Sequence, residues 1–188
     1  MFQRWVCLAA ACCAAPQVLA QDLDFNLNGQ TVQLEYSDRV HGPGELNSGR
    51  VSASGLFTSK DDYIVGMGAR VTGQAGTGSP GLQVGIGAKL FGGSVDGNGF
   101  AALALDGGVR YSPPPLPRLA LGVRLFYAPD IVTFADANNY VQAEVRVAYE
   151  VLPQSFVYIG YRDLHVGITG TGHKTVDSNV HIGIKIHF

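Results

Sequence analysis

Seven basic side chains recur at alternate positions within otherwise apolar stretches: Arg70, Lys89, Arg110, Arg124, Arg146, Arg162 and Lys185. Two acids, Asp106 and Glu144, share their parity. Residues two apart on a strand point the same way, so all nine belong to one surface. Such a set can fill an interior with salt bridges, or it can line a narrow positive passage that favours anions. Buried charges persist only when paired. Two acids cannot pair seven bases, so water or acids near the rims must neutralise the rest. The expectation is a charge-plugged interior, with an anion-leaning channel as the alternative.

Other chemistries have weaker support. The five histidines (His41, His165, His173, His181 and His187) form no HExxH pattern. The three cysteines, Cys7, Cys12 and Cys13, all lie at the N-terminus, so no thiol assists those histidines as metal ligands downstream. The segment Ala128 to Asn139 carries Asp130, Asp136, Asn138 and Asn139, but without the ligand spacing of a calcium loop. A lipid-modifying enzyme would need a Ser or Asp beside a His. His165 with Ser178 or Asp163 can be drawn, yet nothing selects it. The glycine-rich stretches lie on strands, not at strand-to-helix turns, which excludes a phosphate loop. No catalytic, cofactor-binding or metal-ligating residue is assigned, and no enzyme is expected.

The elements that position the charges follow from periodicity. Arg4, the apolar run from Trp5 to Ala15, Pro16 and the small-residue site Val18-Leu19-Ala20 make residues 1–20 a secretory signal peptide. The run is too short to span a bilayer as a helix. Cys12 offers a lipoprotein-type cleavage site, but Ala9 stands where leucine is expected. Without Arg4 there are twelve Lys and Arg against fifteen Asp and Glu, a balance that gives nucleic acid no footing. Charged residues are 15 % of the chain, against roughly 25 % in a soluble domain. The 25 glycines and the missing helical stripe point to β-structure with much surface out of water.

From residue 49 to residue 188, eight stretches alternate strictly. Val180, Ile182, Ile184, Ile186 and Phe188 oppose His181, Gly183, Lys185 and His187, and the other stretches, back to Val51–Phe57, repeat this two-residue period. Residues 21–48 hold a hairpin around Asn28-Gly29 and a connection. One face is apolar; the other is glycine with Arg or Lys, unlike the watered face of a sandwich. The pattern predicts an all-β, up-and-down antiparallel transmembrane β-barrel of 8–10 strands, ten being preferred because the N-terminal hairpin can join the wall. Strand ends carry outward aromatics: Tyr111, Tyr149 and Phe188 at one rim, Phe57, Tyr63 and Tyr127 at the other, the interfacial girdles of such barrels. Long outer connections are expected at Ala128–Asn139 and Val166–Thr175.

Residues 21–188 resemble the YfaZ family of bacterial outer-membrane proteins. The resemblance is strongest at Leu125-Phe126-Tyr127-Ala128-Pro129-Asp130-Ile131-Val132-Thr133-Phe134-Ala135-Asp136. It continues at Val157 to Arg162, Val180 to Phe188 and Leu23 to Asn28. It implies a barrel in the outer membrane, reached by export through the periplasm, and brings no activity or site residue. The partners to expect are outer-membrane lipid, lipopolysaccharide and the barrel assembly machinery. The latter would read Val180, Ile182, Ile184, Ile186 and Phe188 as its C-terminal signal. Oligomeric state is open.

Overall fold

The computed structural model describes residues 21–40, 48–76, 80–170 and 172–188. The signal-peptide reading of residues 1–20 and the candidate His41 lie outside them. Among the described residues eleven strands run in chain order: β1 (Gln21–Leu27), β2 (Thr31–Val40), β3 (Ser48–Thr58), β4 (Tyr63–Gln74), β5 (Leu82–Val95), β6 (Asn98–Tyr111), β7 (Leu119–Ala128), β8 (Thr133–Ala135), β9 (Ala137–Leu152), β10 (Ser155–Ile168) and β11 (Gly172–His187). Each wall strand pairs antiparallel with its neighbours, and β1 closes the ring on β11 with Phe25 opposite Ile184. Gln21 and Phe188 each donate a backbone N–H to the other's carbonyl, at 2.8 and 2.9 Å. Closure leaves no unpaired edge, which a bilayer would penalise.

The wall has ten places, because β7 and β8 share one. Tyr127 on β7 pairs with Leu105 of β6, and Thr133 on β8 pairs with Ala102 of the same strand. Between them Pro129, which has no N–H to give, leads into a single 3₁₀ turn at Asp130–Val132. Thr133 ties the turn down by donating its hydroxyl to the Asp130 carbonyl at 2.9 Å. Part of the predicted outer connection Ala128–Asn139 is therefore wall.

The predicted long connection Val166–Thr175 is absent. His165 pairs with Thr175 and Gly167 with His173, so β10 and β11 run on to a tight turn near Gly170. A register shift after Leu164 absorbs one extra residue of β11, as a β-bulge does. Apolar Leu164, Val166 and Ile168 keep their inward parity through this extension and are buried, which is what holds the strands together there. β5 and β6 likewise extend to a two-residue turn at Asp96-Gly97, both with positive φ (50° and 77°), the geometry that matches strand twist.

The exterior is the inverse of a soluble protein's. Met67, Ile86 and Leu105 are 70 %, 75 % and 68 % exposed, while Arg162 is fully buried. Apolar outside and polar inside is the arrangement that lipid stabilises. All six girdle aromatics face outward, with Phe57 paired to Tyr63 at the end away from the termini. Strands β5, β6, β9, β10 and β11 have 14 to 16 residues, more than the roughly 9–11 that a bilayer needs. At the far end the outward face turns polar with Asp163, His165 and Ser178.

Candidate functional site: the divided lumen

The inward glycines leave room for large neighbours. A Cβ on Gly66 would fall 2.9 Å from both Lys89 and Phe91, and one on Gly85 or Gly108 would strike the Arg70 guanidinium. Gly160 lies against His181, and Gly183 against the Tyr158 ring. A ten-stranded barrel leaves little interior space, so long side chains fit only where the facing wall is thinned.

A charged belt crosses the middle of the lumen. Arg124 holds Asp106 through two nitrogens (2.9 and 3.2 Å) and reaches Glu35 at 3.2 Å. Arg70 donates to Asp106 at 2.9 Å, and Lys89 to Glu35 at 2.6 Å. Arg146 bridges Glu144 and Asp24, both at 2.6 Å, and Asp24 also accepts from the Tyr158 hydroxyl. His181 sits 3.0 Å from Glu144. Arg162 donates to Asn26 and lies 3.6 Å from Asp177. Five bases thus meet five acids, with geometry suited to charge-assisted hydrogen bonds.

Toward the end that carries the termini, the balance changes. Asp22 is shared by Arg50, Lys185 (3.3 Å), His187 and Ser37. Arg110 has no ion pair or hydrogen bond among the described residues and lies over the Phe156 ring, 5.6 Å from its centre. A cavity of about 240 Å³ opens here, lined by Arg50, Arg110 and Lys185 and floored by the belt.

Beyond the belt, the far half is filled by apolar side chains. Phe91 stacks on Tyr140 (centroids 4.5 Å apart) and meets Phe126 edge-on at 5.3 Å; Phe100 stacks on Tyr140 at 6.2 Å. Leu56, Ile64, Val95, Leu164, Val166 and Ile168 pack around them. The Tyr140 hydroxyl escapes by donating to Gln142 at 2.6 Å. Arg124 and Lys89 lie over the Phe126 ring at 4.5 and 5.7 Å, so belt and apolar block are in contact through cation–π geometry.

All nine charged residues singled out from the sequence line the lumen, but sequence reasoning missed four of the six acids their bases meet, and one further base. Asp22, Asp24 and Glu35 come from β1 and β2, Asp177 from the extended part of β11, and Arg50 from β3. Their signal was present: Asp22, Asp24 and Asn26 alternate with Leu23, Phe25 and Leu27. The apolar block was missed as well, though Phe91, Phe100 and Tyr140 have inward parity. Of the enzyme candidates, His165 lies between Asp163 and Thr175, both at 3.0 Å, while the Ser178 hydroxyl bonds Tyr161 at 2.8 Å. No group of three potential metal ligands occurs among the described residues.

The family model described as YfaZ precursor matches residues 3–188. No curated protein matches in sequence. Among solved structures, the KdgM porin is similar at 12 % identity with a TM-score of 0.52, over 90 % of this chain and 99 % of its own. A membrane protein from a study of in-meso crystallisation is similar at 11 % identity with a TM-score of 0.50, over 90 % and 83 %. At such identity the likeness is one of fold.

Proposed function

The chain belongs to the YfaZ family, and from that premise we propose that it is an outer-membrane barrel with a closed lumen, serving a structural or interaction role. It reaches the membrane through the periplasm after losing residues 1–20. There its apolar band meets lipid and lipopolysaccharide, and the strand ending at Phe188 is what the assembly machinery reads. The observation that carries the closed lumen is the stack of Phe91, Phe126, Tyr140 and Phe100 across the far half, above a belt whose charges are matched. An ion crossing it would shed its water among aromatic and aliphatic groups, and hydrophobic constrictions of this kind exclude water and ions.

This reading includes no catalysis. The Asp163–His165–Thr175 row lies on the outer face. The anion-leaning channel remains as a second reading, favoured by one observation, the unmatched positive charge beside the cavity. Planar-bilayer recording of the folded protein separates the two. The closed barrel gives no resolvable current steps; steady anion-selective steps would overturn it.

A further inference from the structure

We propose that the half-lumen open at the Gln21–Phe188 end is a binding pocket for a small soluble anion carrying a phosphate or carboxylate group. The proposal rests on the closed lumen, since a dead end retains what a passage would release. Its first support is where the charge lies. In the belt Arg70, Lys89, Arg124, Arg146 and Arg162 meet five acids, whereas at the mouth Arg50 and Lys185 divide one acid, Asp22, and Arg110 forms no ion pair among the described residues. Among the described residues the rim adds charges of both signs in equal number: Arg39, opposite Arg50 in the register, and Arg118, with Asp38 and Glu150. The surplus positive charge therefore belongs to the pocket itself.

Arg110 supplies the grip. Its guanidinium is held over Phe156 and, among the described residues, spends no hydrogen bond on a protein acceptor. A planar fork of N–H donors with no partner suits two oxygens of a carboxylate or phosphate. Gln83, directly across the β5–β6 pair from Arg110, and Ser52 add neutral hydrogen-bonding groups to the lining. The cavity of about 240 Å³ falls below the roughly 300 Å³ at which drug-sized ligands begin, so the anion is small. The wall separates this space from the acyl chains, which leaves dissolved anions, not lipid headgroups, as its source.

The test uses the mature chain refolded in an uncharged detergent and titrated calorimetrically with pyrophosphate and with citrate. One saturable site is expected for at least one probe, weakening as salt is added. Arg110→Gln should weaken it about tenfold, the worth of one charge-assisted hydrogen bond. Lys60→Gln, at the opposite end, should leave it unchanged. Should Arg110→Gln fail to fold, Gln83→Glu serves instead: it places the missing carboxylate beside Arg110 and should abolish binding. Absence of saturable binding at millimolar probe overturns the pocket, as does binding indifferent to both pocket variants. Current recorded on the same preparation bears on the closed lumen alone, so the two ideas can fail separately.

Discussion

The two halves of the lumen are built on the same strands but follow different physics. β5 contributes Gln83 and Gly85 to the open pocket, Lys89 to the belt and Phe91 and Val95 to the apolar block. β9 does likewise with Ala148, Glu144 and Tyr140. Near the termini, the interior is open and its positive charge exceeds its negative. At the far end, packing excludes water. Between them a matched belt separates the two, with Arg124 reaching acids on one side and an aromatic ring on the other. In the proposed reading the apolar block closes the barrel and the open half holds a solute.

The largest effect should come from the block. Phe91 touches both Phe126 and Tyr140, so Phe91→Ala leaves a cavity at the centre of the stack. Loss of such a side chain costs about 3–5 kcal/mol. The unfolding midpoint in urea should fall accordingly, and flickering currents should appear in bilayers as water enters. If Phe91→Ala stays as stable and as silent as the wild type, the block is not what closes the lumen.

Next in size is the belt. Arg124→Ala leaves Asp106 to Arg70 and Glu35 to Lys89, so neither acid is abandoned. The Arg124 side chain is about a quarter exposed, which places it between a surface and a buried pair. We expect a loss of about 2 kcal/mol and no current, because the aromatic stack remains. Current from Arg124→Ala with a silent Phe91→Ala would reverse the roles of the two layers.

Much of this was legible in the sequence. Two-residue alternation identified the lipid face from Val51 to Phe188, because burial in a barrel depends on parity and little else. The two strands that bring the wall to ten were legible through Asn28-Gly29, whose turn is set when the Asn28 side chain accepts the N–H groups of Gln30 and Thr31, both at 2.8 Å. Less legible was the division of the lumen. Parity reports which residues point inward but not which meet across the interior: Lys89 and Glu35 are 54 positions apart, and Arg146 and Asp24 are 122 apart. Strand ends were misjudged where polar outward residues such as Asp163 and His165 look like loop. They belong to a hairpin that has left the bilayer while its inward side still packs on the block.

The smallest expected effect lies on the outside of the far half and tests whether polar contacts there matter as the interior ones do. Asp96, in the turn between β5 and β6, takes a hydrogen bond from Lys174 at 2.7 Å. That bond, then the lysine's charge, holds its carboxyl below the usual carboxylate range. An unfolded aspartate titrates near about 3.9. The folded form keeps its charge to lower pH, so the contribution is complete above that value and is lost as the pH falls through the depressed folded value. Both groups stand in water, where such pairs are weak and salt-screened. Asp96→Asn suits the comparison because asparagine tolerates the same positive φ. The variant should melt slightly below the wild type at neutral pH in low salt, and the difference should vanish in strong acid or at high salt. A drop as large as that of Arg124→Ala would mean that the outer hairpins, not the interior belt, carry the barrel's electrostatic stability.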